Sequence, residues 1–266
     1  ETGVLGQRVN QLNEQIVAME ARLPQYFGRL PKSPVQVKRV PKAIEAGAPG
    51  GYYQGPALDG SRPGQYYINL RDTTEWAKWA LPTLTYHEAV PGHLFHGALV
   101  QEAGASPMLF KNIGFTAYGE GWGLYAEQLG DELGMYDAYP AGRIGWLQSF
   151  LYRAARIVLD TGIHGKGWSR EQAITYMRET VGLPLGAAEN EIDRYVVWPG
   201  QACGYKIGHL EFVRLRDAAR AKLGPRFDLR RFHDAVLEGG AMPLEVLAQV
   251  VDDWAGTVAG GDAPLP

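Results

Sequence analysis

Apolar residues recur at intervals of three and four positions along most of the chain. Over residues 5–23 this spacing predicts an amphipathic helix that ends at Pro24. From about residue 73 onward the same spacing predicts helices over 74–100, 116–130, 140–160, 170–180, 187–198, 200–223, 228–238 and 243–255. Breaks are expected in the first of these, at Pro82 and near Pro91–Gly92, because proline removes a helical N–H. The chain is therefore predicted to be mainly helical.

Residues 30–70 carry a different pattern. Two runs, Val35–Val37 and Gln65–Leu70, are too short for helices and are rich in strand-forming residues. Between them, Gly50–Gly51 and Asp59–Gly60 are typical of turns. We predict two or three short strands here, with a hairpin as one arrangement.

Composition and charge narrow the class of protein. The 266 residues are 45% hydrophobic and 21% charged, as is ordinary for a globular protein, and no repeat or linker divides residues 1–266. The net charge is −3 and no basic stripe is present, which argues against nucleic acid as a partner. No apolar run approaches about 20 residues, so we predict no transmembrane segment. The single cysteine, Cys203, excludes an intrachain disulfide and a cysteine-rich zinc site.

The segment H-E-A-V-P-G-H, which begins at His87, carries the strongest candidate chemistry. Zinc hydrolases often have H-E-x-x-H on a helix, which places two imidazoles on one face and lets the glutamate reach the metal-bound water. Here His93 follows six residues after the first histidine, so a regular helix would turn it about 240° away. The motif therefore requires a distorted helix, for which Pro91 and Gly92 are suited. We predict His87 and His93 as metal ligands and Glu88 as general base; the alternative is two unrelated histidines near a helix break.

A third ligand is needed, because a catalytic zinc usually has three protein ligands and one open position. Glu120, in the segment A-Y-G-E-G-W-G-L-Y-A-E, lies 27 residues after His93, which leaves room for a loop and a returning helix. Its flanking glycines let backbones approach closely. Glu127, seven residues later, shares its helical face and is a candidate for orienting a metal ligand. The alternative is that both glutamates lie at the surface.

Other side chains are candidates for contact with the substrate. Attack of water on a carbonyl creates an oxyanion that needs a donor, and we favour Tyr205, with Tyr195 close behind. Most of the fourteen tyrosines are nevertheless expected to pack or to lie at the surface. His164, in a predicted glycine-rich loop, is a candidate catalytic or substrate-contacting residue or a structural one. His96, three residues after His93, is a competing ligand, an outer-sphere residue or a substrate-binding residue.

Two further charged residues have open roles. Arg194 is a candidate for binding a substrate carboxylate in bidentate fashion, or it pairs with Glu191 or Asp193. Asp160, predicted at a helix end, is a candidate for hydrogen bonding to a metal-bound histidine, with a plain helix-end role as the alternative.

These motifs resemble a known family. H-E-A-V-P-G-H followed by A-Y-G-E-G-W-G-L-Y-A-E is similar to the bacterial domain-of-unknown-function family 885, whose members are regarded as zincin-like metallopeptidases. The resemblance continues through D-T-G-I-H-G-K-G-W-S at 160–169 and R-Y-V-V-W-P-G-Q-A-C-G-Y-K-I-G at 194–208. The segment E-G-W-G-L-Y-A-E also resembles N-E-G-F-A-x-Y-x-E of aminopeptidase N-like enzymes, in which the first glutamate is the third zinc ligand. This resemblance favours Glu120 over Glu127.

The resemblance implies a zincin-like catalytic portion that holds one zinc ion and hydrolyses peptide bonds in a peptide or small amide substrate. Family members are typically longer, with a further N-terminal helical part. We therefore expect this chain to be the C-terminal portion of a larger protein, with that N-terminal part as a candidate partner. Relatives often carry export signals, which favours an extracytoplasmic location, with the cytoplasm as the alternative. Relatives also often have glutamine where this chain has His96. In similar enzymes an edge strand beside the zinc pairs with the substrate, a role open to the strands at 30–70.

Three alternatives stay open at this point. The first is a zinc-binding module or inactive fragment that needs the N-terminal part, and the second is a helical interaction domain without metal. The third is a hydrolase of non-peptide amides or esters. Water attacks peptides, other amides and esters by the same chemistry, so the motif does not distinguish these substrates.

Overall fold

The computed structural model describes residues 4–57, 59–71, 77–103 and 107–261. Within them, eleven α-helices accompany one small sheet. The helices are α1 (Val4–Glu20), α2 (Leu81–Glu88), α3 (His93–Glu102), α4 (Met108–Asn112), α5 (Thr116–Glu132), α6 (Ala141–Lys166), α7 (Arg170–Val181), α8 (Leu185–Val197), α9 (Gln201–Leu223), α10 (Leu229–Glu238) and α11 (Leu244–Gly260). The strands are β1 (Val35–Arg39), β2 (Gly51–Gln54) and β3 (Gly64–Ile68). The prediction of a mainly helical chain with a small β element is confirmed.

The sheet has the strand order β1-β3-β2. β2 and β3 run antiparallel, with Tyr53 opposite Tyr66, so they form the hairpin that the sequence leaves open. β1 pairs with β3 in parallel, with Val35 opposite Gly64. Gly51 begins β2, so the predicted turn at Gly50–Gly51 is wrong in part. β2 is left as an edge strand.

The two predicted helix breaks have different outcomes. Pro82 lies in the first turn of α2, where its missing N–H removes no helical hydrogen bond, so it begins a helix and does not interrupt one. The predicted start of that helix near residue 74 lies outside the described residues. The break near Pro91 is confirmed, because α2 ends at Glu88 and α3 begins at His93.

The main core forms where α5 packs against α9. A Cβ atom on Gly208 would lie 1.8 Å from the carbonyl oxygen of Ala117, and one on Gly121 would lie 2.5 Å from the backbone of Gly208. Glycine at both positions therefore permits the close approach of the two helices. Buried rings fill the space beside this crossing, among them Trp122 and Phe212, whose centroids are 5.6 Å apart.

A second apolar cluster holds α6, α7 and α8 together. Its buried members include Leu159, Met177 and Ile192, one from each helix. α7 begins with a capping box, in which Ser169 and Gln172 each accept a hydrogen bond from the other's backbone N–H. Among the described helices, none is long and apolar enough to cross a membrane.

Candidate metal centre

The break between α2 and α3 brings the two histidines of the motif together. The ring centroids of His87 and His93 are 4.7 Å apart and the rings are nearly perpendicular. Gly92 makes the turn possible, since a Cβ there would lie 1.8 Å from the carbonyl oxygen of His87. Trp122 of α5 donates from its indole Nε1 to the carbonyl oxygen of Pro91 at 2.9 Å, which ties the turn to the core. The predicted distortion thus places both imidazoles on one side of the break.

Glu120 of α5 reaches both histidines. Its Oε2 lies 3.3 Å from Nε2 of His87 and 3.2 Å from Nε2 of His93. The candidate ligand atoms of the three residues all lie within 4.8 Å of one another. The histidine side chains are 2% and 8% exposed, whereas that of Glu120 is 22% exposed. The histidine side of the cluster is therefore buried, whereas the Glu120 side is partly exposed to solvent.

The three residues fit a zinc ion. Two imidazole nitrogens and one carboxylate oxygen are a donor set of catalytic zinc sites. Ligand atoms bound at about 2.1 Å in tetrahedral geometry lie about 3.4 Å apart, close to the two separations from Glu120. Glycine at 123 leaves room for the cluster, because a Cβ there would lie 2.6 Å from the His87 ring.

Glu127 orients His87 from behind. Its Oε1 lies 2.8 Å from Nδ1 of His87, so the ring donates through Nδ1 and directs Nε2 at the cluster. Ser149 donates to the other oxygen of Glu127, and the guanidinium of Arg153 lies 3.6 Å from Oε1. Burial raises the pKa of the Glu127 carboxyl, but Arg153 and the hydrogen bonds outweigh it and hold the pKa below its usual value. Glu127 is therefore a buried carboxylate, not a surface glutamate.

The charge of the cluster favours a cation. Burial lowers the pKa of His87, but the hydrogen bonds to Glu120 and Glu127 outweigh it and raise the pKa to about 9. Without a metal, the carboxylates therefore hold a proton on this histidine well above its usual titration range. A divalent ion would take the place of that positive charge.

Glu88 lies half-buried at the end of α2, within electrostatic range of His87, His93 and Glu120. Burial raises the pKa of its carboxyl, and the two histidines oppose the rise. No hydrogen bond or ion pair to another residue in the described part of the chain engages this carboxylate. A carboxyl group with a raised pKa and no fixed partner is suited to proton transfer.

The structure separates the two candidate tyrosines. The ring of Tyr205 stacks 6.2 Å from that of His87, and the guanidinium carbon of Arg156 lies 4.3 Å from the Tyr205 ring centroid. Burial raises the pKa of Tyr205, so it remains a neutral phenol with a proton to donate. Tyr195 is buried elsewhere: it accepts from Arg156 Nε at 2.8 Å and donates to Glu191 at 2.8 Å. Its hydroxyl is thus engaged in a structural network.

Arg194 takes the pairing role. It donates to Glu191 at 2.9 Å and to Gln201 at 2.6 Å. His164 does not lie in a loop: α6 continues to Lys166, and the exposed His164 donates from Nε2 to the carbonyl oxygen of Tyr195 at 2.9 Å. The loop prediction is wrong because α6 continues through the glycines around His164 and is capped only at Gly167, which adopts a φ of 66°.

Asp160 also differs from its predicted place. It lies inside α6, not at its end, and its carboxylate accepts from the backbone N–H of Gly200 at 2.9 and 3.1 Å. It therefore holds the turn before α9 and does not contact a histidine of the cluster through these bonds. His96 is buried with its ring against Tyr118, and burial lowers its pKa to about 3, so it is neutral. It is not one of the three clustered ligands.

Comparison with known proteins places the chain in a family. The family model described as "Bacterial protein of unknown function (DUF885)" matches residues 5–251. The chain belongs to DUF885. A search of the curated proteins found no match.

Two solved structures resemble this DUF885 chain. One is that of a "putative lipoprotein" from Colwellia psychrerythraea, 46% identical, with a TM-score of 0.93 over 97% of this chain and 44% of that one. The other is a "putative lipoprotein of unknown function" from Shewanella oneidensis, 25% identical, with a TM-score of 0.78 over 91% of this chain and 45% of that one. The chain thus spans less than half the length of these two relatives.

Sequence reasoning missed three residues around the candidate metal centre. Ser149 and Arg153 are spaced by four on α6, which places them on one helical face, but this spacing alone names no partner. Tyr53 of β2 stacks on His93 with centroids 4.7 Å apart. An aromatic residue in a short strand carries no signal of such a contact, because the contact depends on how the sheet docks on α3.

A cavity of about 860 Å³ opens beside the cluster. His93 and Glu120 of the cluster line it, together with Tyr53. Most of its other lining residues come from α3, from the segment before α5 and from the turn between α8 and α9. The open side of the cluster therefore faces a space large enough for a ligand.

Proposed function

We propose that this chain carries the zinc centre of a zincin-like hydrolase that cleaves peptide bonds. The observation that carries the proposal is the convergence of His87, His93 and Glu120 at the edge of a large cavity. Glu88, adjacent in sequence to the first ligand, supplies a carboxylate with a raised pKa beside the same cluster.

Each side chain has a role that matches its chemistry and its place beside the cluster. His87, His93 and Glu120 would hold the ion, which when bound lowers the pKa of water to about 7 and polarises a carbonyl. Glu88 accepts the proton of the attacking water at its carboxylate and later donates it to the leaving amine. Tyr205 donates its phenolic proton in a hydrogen bond to the oxyanion that forms at the carbonyl.

Two buried groups position these residues. Glu127 fixes the tautomer and the ring plane of His87 through the 2.8 Å hydrogen bond to Nδ1. Arg156 lies over the ring of Tyr205 and is itself held by Glu191 at 3.0 Å. The donors and acceptors are thereby set in place before a substrate arrives, as efficient charge stabilisation requires.

The test combines metal content with turnover. We expect about one zinc per chain in the parent protein and its loss in the His87→Ala and Glu120→Ala variants. Glu88→Gln should retain the zinc and lose about 100-fold or more in kcat against a peptide substrate. Glu171→Gln, which changes an exposed glutamate in the first turn of α7, is the matched control and should keep both properties. Full activity of the Glu88→Gln protein would refute the proposed base.

The length of the relatives bears on a second candidate. Because the chain spans 44% and 45% of the two solved relatives, a zinc-binding module that works only with the rest of a longer protein is the alternative. Turnover by this chain alone favours the complete hydrolase; zinc binding without turnover favours the module. Esters and non-peptide amides belong in the same assay, because they undergo the same water attack.

The relatives also support a location. Each of the two is described as a "putative lipoprotein", which supports an extracytoplasmic place for this chain. Fractionation of cells that express the natural gene would test this, and recovery in the cytoplasm alone would contradict it.

A further inference from the structure

One face of α3 runs from the metal cluster along the cavity. His93, His96 and Val100 all line the cavity, and their spacing of three and four residues keeps them on that face. Gln101, which also lines the cavity, is eight residues after His93, a distance of about 12 Å along a helix. The cavity is therefore an extended space that begins at the candidate ligands and leads away from them.

The walls of this space carry somewhat more apolar than polar surface. Val100, Ile113, Phe115 and Trp198 contribute aliphatic and aromatic surface. Lys111 is the one basic residue other than histidine among the lining residues of the described chain, and its Nζ donates to the carbonyl oxygen of Gln101. The carboxylate in the lining is that of Glu120, which belongs to the metal cluster. An apolar side chain of a ligand would thus be removed from water against the aliphatic and aromatic part of this lining.

Trp198 stands out at the mouth of the cavity. It follows α8 and is 58% exposed, which is unusual for so large an apolar side chain. Its backbone is nevertheless held in place. The backbone N–H of Trp198 donates to the carbonyl oxygen of Arg194, and Asp160 accepts from the backbone N–H of Gly200 two residues later. An exposed aromatic side chain on an anchored turn is typical of a surface that covers a ligand.

We propose that this cavity is the subsite for a large apolar side chain of the substrate beside the scissile bond, with Trp198 as a specificity-determining residue. The inference rests on the proposed hydrolase, because the cavity shares His93 and Glu120 with the metal cluster. The substrate class is accordingly peptides with phenylalanine or leucine next to the cleaved bond.

The test compares peptides that differ at one position. The zinc-loaded chain is assayed with unblocked Ala-Ala-X-Ala and Ala-X-Ala-Ala, in which X is Phe, Leu, Gly or Asp. We expect kcat/KM for Phe and Leu to exceed that for Gly and Asp by about 10-fold or more in one of the two series. Trp198→Ala should lower the Phe and Leu values by about 10-fold and leave the Gly value unchanged. Val197→Ala is the control, because Val197 is 72% exposed, adjacent in sequence and not part of the lining.

Binding of the same peptides, measured by calorimetry, separates failure of the subsite from failure of the hydrolase. Without turnover, tighter binding of the Phe peptide than of the Gly peptide, lost in Trp198→Ala, would support the subsite and refute the hydrolase. Turnover without a preference for Phe and Leu, or an equal effect of Trp198→Ala on all peptides, would overturn the subsite and leave the hydrolase standing. The subsite would likewise be overturned if the protein showed no turnover and no binding preference that depends on Trp198.

Discussion

Gly123 offers a sharp test of how the helix packing sets the metal cluster. A Cβ atom at this position of α5 would lie 2.6 Å from Cε1, 2.8 Å from Nε2 and 2.9 Å from Nδ1 of His87. Non-bonded atoms meet at about 3.5–4.0 Å, so in a Gly123→Ala protein the ring must move by about 1 Å. The hydrogen bond to Glu127 and the stacked ring of Tyr205 oppose that movement.

The expected result is a folded protein with impaired metal binding. Zinc sites tolerate shifts of about 0.2 Å in ligand distance, so we expect the affinity to fall by about 10- to 100-fold or more. Overpacking costs about 1–3 kcal/mol, and the higher helix propensity of alanine offsets about 1 kcal/mol of it. Competition with a chelator measures the affinity, and thermal unfolding of the metal-free protein measures the stability.

Gly119 is the matched control on the same helix, because a Cβ there meets no atom within 4 Å. Gly119→Ala should keep the zinc affinity and stabilise the metal-free protein by up to about 1 kcal/mol. A Gly123→Ala protein that folds and binds zinc as tightly as the parent would refute the argument that this glycine makes room for His87.

Three further predictions concern side chains that surround the cluster or support its neighbours. Glu127→Ala should lower zinc affinity by about 10- to 100-fold, as measured by chelator competition, because His87 loses its acceptor; unchanged affinity would contradict the orienting role. Tyr205→Phe should lower kcat by about 100-fold with little change in unfolding temperature. Tyr195→Phe should instead cost about 1–3 kcal/mol of stability, because it leaves buried polar partners unsatisfied. The reverse pattern would exchange the roles of the two tyrosines. Burial raises the pKa of Glu191, but arginine side chains outweigh it and hold that pKa far below its usual value. Its contribution to stability is therefore complete above about pH 5 and is lost as the pH falls towards the lowered pKa, so urea unfolding of Glu191→Gln should depend less on acid than that of the parent.

The fold could be predicted from the sequence where the signals are local. The helical period and the capping box at Ser169 depend on neighbouring residues, and the structure has helices there. The wrong loop prediction at His164 also came from a local signal. His164 was assigned to a loop because glycines surround it, yet packing of α6 against α7 and α8 sustains the helix through them. Tertiary contacts override the weak helix propensity of glycine.

For the candidate site, the sequence indicated the three residues that the structure brings together. The spacing of His87 and His93 demanded a distortion, and Pro91 and Gly92 indicated where it lies. What the sequence did not contain is the distance between elements far apart in the chain. The choice of Tyr205 over Tyr195 as the ring beside His87 depends on how α8 and α9 dock on α6.

The sequence by itself thus determined the mainly helical class, the broken helix between the histidines and a set of candidate metal ligands. Only the tertiary structure decided that Glu127 is buried behind His87, that Asp160 anchors a turn and that a cavity adjoins the cluster. The physical reason is that periodicity and backbone breaks act over a few residues. Burial, pKa shifts and cavities arise from contacts between side chains that are 20 to more than 100 positions apart, which no local pattern encodes.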